Sequence, residues 1–273
     1  MDPSQRQAIA ERLRYLRPWQ LLTAPRIEGL EHLPAAGPTM LVGNHTVMGL
    51  YDAGMLFLEL FDRRGLLVRG LGDHGHFAIP LWRDLVCAFG VVDGTPENCA
   101  RLLAAGETLL VFPGGAREVA KRKGEKYRLI WKDRIGFVRV AARAGCPLVP
   151  FASVGAEEAW DIVLDADEML AGPLGALADR LGFRRDAVFP ILRGLGPTPL
   201  PRPQRLYFRL FPPVPTTGVD PDDRDACLAV RDQVRAAIEA GIDGLQHTRA
   251  HDPDRDVLPR LLRQLADLLP TRR

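Results

Sequence analysis

Three short, almost wholly apolar runs constrain this chain more than anything else in it: TMLV at 39–42, TLLVF at 108–112 and PLVPFASV at 147–154. Each has the length of a strand and the composition of one buried in a sheet. Helical spacing fills the gaps between them. It runs from about Val47 to Phe61, over 79–89 after Pro80, and from a Thr95-Pro96 start to about Ala105. A Thr N-cap with Pro at the first helical position satisfies one free backbone N–H and presets φ. A further helix at about 134–144 ends at Gly145, a residue suited to a left-handed C-cap. LLV at 66–68 and GVV at 90–92 read as additional strands, and LYFRLF at 206–211 as a late one. Such alternation predicts an α/β fold: a single domain with a mixed, mostly parallel central sheet covered by helices.

The ends of the chain read as helical. Residues 4–22 carry Ile9, Leu13, Leu16 and Trp19 on one stripe, with Arg6, Arg12, Arg14 and Arg17 elsewhere. This N-terminal amphipathic helix suits either a membrane surface or packing on the domain. Residues 222–240 and 257–269 read as two more amphipathic helices, whereas 171–203, rich in Gly, Pro and Leu, gives no firm element.

Composition narrows the function classes. A formal net charge of +2 over 273 residues offers no global field for nucleic acid, so none is expected as a partner. Cys87, Cys99, Cys146 and Cys227 are scattered without a C-x-x-C pair, which argues against a disulfide framework or zinc site and suits a reducing compartment. The N-terminus is too charged for a signal peptide. No run of about 18 apolar residues exists to span a bilayer. Neither a G-x-S-x-G elbow nor a P-loop is present.

Two segments carry candidate chemistry. Asn44-His45 follows the first buried strand, where an α/β sheet opens to its ligand crevice, and Asp52 lies seven positions on. A neutral imidazole suits general-base work if an acid fixes its tautomer. The plain alternative is a capping histidine and a solvated aspartate. The second segment is Phe112-Pro113-Gly114-Gly115-Ala116-Arg117-Glu118, directly after TLLVF. Two glycines let the backbone approach a ligand and aim N–H groups at an anion. The Arg117 guanidinium matches a phosphate or carboxylate. As an isolated motif, a plain Gly-rich turn is the better reading. Lys121, Arg122, Lys123, Lys126 and Arg128 form a cationic run beyond it, suited to CoA phosphates or anionic lipid heads, or to solvent. Asp73-His74-Gly75-His76 adds a His-x-His pair of the kind that ligates metals in hydrolases.

Taken in order, VGNHTVMGLYD, the block from GVVDGTPEN through FPGGAREVAKRKGEKYRLIW, and CPLVPFASVG resemble the glycerolipid (glycerol-3-phosphate/lysophospholipid) acyltransferase superfamily. They are most similar to its monoacylglycerol/diacylglycerol acyltransferase-like branch. The resemblance covers roughly residues 35–165. It implies a glycerol-3-phosphate acyltransferase-like fold, with an N-terminal segment over 1–32, a core over 33–220, and C-terminal helices over 221–273 packed on it. It implies catalysis by His45 and Asp52, with Asn44, Gly114, Gly115, Arg117, Glu118 and Lys121 binding substrate. The donor would be a fatty acyl thioester, acyl-CoA or acyl-ACP, as co-substrate with no bound cofactor or metal. The acceptor would be a lipid alcohol. The enzyme would sit peripherally on the cytoplasmic face of a membrane.

Two departures from the superfamily pattern stand out. Its usual H-x4-D becomes a His45–Asp52 pair with six residues between, and its F-P-E-G-T-R has Gly114 in place of the glutamate, with Glu118 after Arg117. No counterpart of its second-motif arginine occurs in DGTPEN. These losses favour an uncharged acceptor over a lysophosphatidate. Two other classes compete: a metal-dependent phosphoesterase using His45, Asp52, His74 and His76, and a lipid-binding protein without catalysis.

Overall fold

The computed structural model describes residues 1–49, 51–171, 175, 180 and 188–268. The chain opens on α1 (Pro3–Leu13), a 3-10 turn at Arg14–Leu16, and α2 (Arg17–Thr23). The sheet strands and their helices follow as β1 (Arg26–Glu28), β2 (Thr39–Gly43), α3 (Tyr51–Arg64), β3 (Val68–Gly72), α4 (Pro80–Ala88), β4 (Val92–Asp93), α5 (Pro96–Ala104), β5 (Thr108–Val111), α6 (Gly115–Val119), α7 (Gly136–Ala144) and β6 (Leu148–Val154). A two-stranded antiparallel ribbon of β7 (Asp161–Leu164) and β8 (Ile191–Arg193) is separated by α8 (Ala166–Leu170). The chain finishes with β9 (Tyr207–Leu210), α9 (Arg224–Ala250) and α10 (Val257–Leu268).

Seven strands form the main sheet in the order β1-β9-β6-β2-β5-β3-β4. All neighbours are parallel except β6 and β9. The fold is therefore the expected single α/β domain with a mixed, mostly parallel sheet. Alternation along each strand divides the core in two. Met40 and Val42 of β2, Leu109 of β5 and Leu148 of β6 join α5, α7 and α9 on one face. Leu41, Leu110, Val149 and Phe151 join α1 and α3 on the other. Gly241 of α9 lets that helix close onto the sheet, since a Cβ there would meet Ala152 at 2.8 Å.

The N-terminal stripe belongs to this core. Ile9 and Leu13 are 7% and 1% exposed, and Leu16 and Trp19 pack against the same cluster. The stripe expected to meet a membrane is turned inward. The helix after β2 begins at Tyr51 rather than near Val47, because Thr46–Gly49 is a turn with Met48 and Gly49 both at positive φ. Of the 171–203 stretch that gave no firm element, residues 172–174, 176–179 and 181–187 lie outside the described residues, and β8 falls in the remainder.

Candidate active site

Parallel strands β2, β3, β5 and β6 end side by side, and their following loops supply the site, as crevices at the carboxyl ends of α/β sheets do. Asn44 leaves β2 and is fully buried. Its amide Nδ2 donates to the Ser153 carbonyl at 2.9 Å, and its Oδ1 accepts the Ser153 N–H at 2.8 Å. The side chain thus continues the β2–β6 ladder by one rung. Asn44 thereby anchors the loop after β2 to β6.

His45 follows, held through its backbone by two buried ionisable side chains. Its N–H donates to Glu118 Oε2 at 3.3 Å, and its carbonyl accepts from Lys121 Nζ at 2.9 Å. Lys121 is 1% exposed and also donates to Glu157 Oε1 at 2.6 Å. The imidazole stacks on Phe112 with centroids 3.9 Å apart and planes 6° from parallel. Gly49, at φ +55, lies on the ring: a Cβ there would stand 2.2 Å from His45 Cε1. Burial is the main reason that the imidazole pKa falls to about 3, with the nearby Lys121 and His76 adding to it.

Asp52 does not reach this ring. Its carboxylate accepts from Thr46 Oγ1 at 2.9 Å, Ser153 Oγ at 2.7 Å and the Ala53 N–H at 3.0 Å, while His45 Nδ1 is buried without a partner. Burial raises the Asp52 pKa against those three hydrogen bonds. At the start of α3, Asp52 ties the turn after His45 to β6, an architectural position rather than one within a His–Asp dyad.

The glycine-rich segment differs from its expected use. Gly115 N–H donates to the Phe112 carbonyl at 3.0 Å, so that amide closes a turn. Arg134 Nη1 binds the carbonyls of Pro113 and Gly114. Arg117 forms a bidentate pair with Glu125 at 2.8 and 2.5 Å, which commits its guanidinium within the protein. Gly114 has a steric role: a Cβ there would fall 2.2 Å from Glu118 Cδ. The Glu118 carboxyl therefore occupies the space a side chain at Gly114 would need. It accepts from the His45 and Ile130 N–H groups and is pushed up to about 7, mainly by burial. Glu118 and Lys121 are buried, and both hold the backbone of His45.

Two cavities meet at His45. One, of about 200 Å³, is lined mainly by apolar side chains including Leu16, Phe57, Leu71, Phe89, Val91 and Leu110. The other, of about 390 Å³, runs past Trp82, Ile79, Val119 and Phe189. His45, Leu71, Gly72, His76 and Phe112 line both. The His-x-His segment forms a 3-10 turn at His74–Phe77, capped by the Asp73 side chain on Gly75 N–H. His74 is exposed, and its Nδ1 pairs with Asp93 at 2.9 Å, which raises its pKa. His76 Nδ1 instead accepts from Trp82 Nε1 at 2.9 Å. Among the described residues, no three His, Cys, Asp or Glu side chains gather as a metal donor set, so the phosphoesterase arrangement is not assembled.

Sequence reasoning singled out His45, Asp52 and the segment that begins at Phe112, but not Thr46, Ser153, Glu157 or Trp82, whose side chains hold Asp52, Lys121 and His76. For Glu157 a signal existed, since it stands just past β6 on the edge that carries His45.

Comparison with known proteins bears on this arrangement. A family model described as Acyltransferase matches residues 24–154. Phytyl ester synthase 2, chloroplastic, from Arabidopsis thaliana is 32% identical over 263 residues, covering 87% of this chain and 36% of that protein. The human DGAT1/2-independent enzyme synthesizing storage lipids is 31% identical over 134 residues, 49% of this chain and 41% of the relative. Among solved structures, the 1-acyl-sn-glycerophosphate (LPA) acyltransferase PlsC from Thermotoga maritima has the same fold. Its TM-score is 0.52 at 15% identity, over 90% of this chain and 83% of that one. These matches support a place for the chain in the glycerolipid acyltransferase superfamily. The chain spans little more than a third of the phytyl ester synthase it matches.

Proposed function

We propose that this protein transfers a fatty acyl group from a thioester, acyl-CoA or acyl-ACP, to the hydroxyl of a lipid acceptor, with His45 as general base. The observation that carries this reading is the His45 ring at the junction of an apolar cavity and a second cavity. The first is suited to an acyl chain and the second to the partner substrate. His45 takes the acceptor hydroxyl proton as the oxygen attacks the thioester carbonyl carbon. The C–O bond forms, the C–S bond breaks, and the proton passes from His45 to the departing sulfur. No covalent acyl-enzyme is needed.

An uncharged acceptor, a long-chain alcohol or acylglycerol, suits the site better than a lysophosphatidate. Arg117, the candidate anion ligand, is paired with Glu125, and mainly apolar side chains line the smaller cavity. The printed names of the Arabidopsis and human relatives, a phytyl ester synthase and a storage-lipid enzyme, support the same preference. The protein works peripherally on the cytoplasmic face of a membrane that supplies its acceptor. No helix among the described residues is long and apolar enough to cross a bilayer.

The test is incubation of purified protein with labelled acyl-CoA and, separately, a long-chain alcohol, a diacylglycerol and a lysophospholipid, with products identified by mass spectrometry. His45→Ala should lower turnover by about 10²–10⁴-fold, the usual contribution of a general base. A folded His45→Ala protein at wild-type rate would refute the mechanism, and thioester binding without any product would favour the lipid-binding alternative.

A further inference from the structure

Resting on the acyl-transfer reading above, we propose that His76 is a second catalytic residue, donating a hydrogen bond from its Nε2–H to the thioester carbonyl oxygen as that oxygen becomes an oxyanion. Three observations carry this. First, among the described residues His45 and His76 are the titratable side chains that line both cavities. A carbonyl placed for attack at His45 therefore lies in a space that His76 also borders. Second, the ring is set in one tautomer. An indole N–H only donates, so the Trp82 Nε1 contact at 2.9 Å makes His76 Nδ1 an acceptor and leaves the proton of the neutral ring on Nε2. A donor fixed before reaction costs no reorganisation when charge develops on the carbonyl oxygen.

Third, several other donors on the loops around His45 are engaged. The Gly115 N–H serves the Phe112 carbonyl. Lys121 serves His45 and Glu157, and Arg134 serves the Pro113 and Gly114 carbonyls. In the step itself His76 keeps its proton throughout, and the acceptor's proton travels by His45 to the sulfur. Trp82 acts as a positioning residue: it selects the nitrogen that faces substrate. Nothing in this role requires His74, which is exposed and paired with Asp93.

The experiment has a kinetic and a spectroscopic arm, both on the full chain. His76→Phe keeps a ring but removes the donor, and should lower kcat by about 10²-fold, as loss of one oxyanion donor does, with little change in KM for acyl-CoA. His76→Gln returns an N–H near the Nε2 position and should recover part of that loss. Trp82→Phe frees the tautomer and should reduce kcat several-fold. In the wild type, ¹⁵N NMR should find the His76 proton on Nε2, and an S-(2-oxoalkyl)-CoA ketone analogue should shift that resonance downfield. Wild-type kcat in folded His76→Phe would overturn the proposal. So would a proton on Nδ1, or an Nε2–H unmoved by the bound analogue. If the wild type transfers no acyl group at all, the acyl-transfer reading fails. The analogue shift would then decide separately whether His76 binds a carbonyl. Should His76→Phe not fold, Trp82→Phe and the NMR arm decide.

Discussion

Burial fixes the protonation state of His45 before any substrate arrives. With its pKa lowered to about 3, chiefly by desolvation, the ring is neutral near pH 7. A base of that strength would be feeble if the number held in the transition state. In the proposed mechanism the imidazolium forms beside a developing oxyanion, whose opposite charge would remove much of the penalty that burial imposes. The same shift predicts that the His45 Hε1 NMR resonance stays constant from pH 5 to 8, whereas an unperturbed imidazole would titrate near 6.5. Observed titration in that window would show the ring to be solvated. Gly49 guards this geometry. Its φ of +55 disfavours any L side chain by roughly 1–2 kcal/mol. A Cβ there would also overlap the ring. Gly49→Ala is therefore expected to lower Tm modestly and abolish most turnover, because the imidazole must swing off Phe112. Turnover at the wild-type rate would mean that the ring position is not critical.

At the level of elements, the loop around α6 holds up the loop after β2. Lys121 links the two by binding the His45 carbonyl and Glu157, so Lys121→Met should do two separable things. It strands a buried carboxylate, which typically costs about 3–5 kcal/mol. It also releases the His45 backbone. Adding Glu157→Leu should restore most of the stability but little of the activity, and thermal melts with kinetics on both variants would check this. Recovery of full activity in the double variant would reduce Lys121 to a charge partner. Glu118 adds a pH dependence of known sign. Its folded pKa of about 7 lies above the ordinary 4.5, so its contribution is most favourable below pH 4.5 and declines as pH rises to 7, by on the order of 3 kcal/mol. The stability gap between wild type and Glu118→Gln should change across that window; a constant gap would show that Glu118 ionises normally. These linkages explain what sequence could and could not disclose. β2, β5 and β6 were legible because buried parallel strands leave continuous apolar runs. β1, with Arg26 and Glu28 around one Ile, sits at the sheet edge and left no such trace. His45 was legible from its place after β2. Its supports were not, because Asn44–Ser153, Lys121–Glu157 and Trp82–His76 are made by the fold and have no local pattern. For Asp52 the sequence showed its nearness to His45 along the chain, whereas its Ser153 partner in β6 has no local pattern.

At the scale of the molecule, the proposed delivery of the acceptor from a membrane asks which surface would meet that membrane. The N-terminal stripe is excluded by its burial, since Ile9 and Leu13 sit in the core beneath α1. The start of α4 is the better surface. Ile79, Leu81 and Leu85 are 59%, 85% and 50% exposed, and Leu85 and Ile79 also line the first and second cavities respectively. An apolar rim continuous with the walls of the substrate space allows a lipid to pass from bilayer to His45 without crossing water. A second apolar face lies on α10, where Leu258, Leu262 and Leu265 are exposed, and it serves as the comparison. Ile79→Ser with Leu81→Ser should weaken sedimentation with anionic phospholipid vesicles about tenfold or more, as a fully buried aliphatic side chain is worth roughly 1.5–3 kcal/mol. Leu81→Ser alone should preserve turnover of a short, water-soluble acyl thioester and alcohol, because Leu81 lines neither cavity. Leu258→Ser with Leu262→Ser should leave vesicle binding unchanged. The reverse pattern would move the contact to α10. If the α4 substitutions altered the molecular mass in solution and not vesicle binding, that rim would be a contact between copies of the chain, and the acceptor would have to reach His45 by another route.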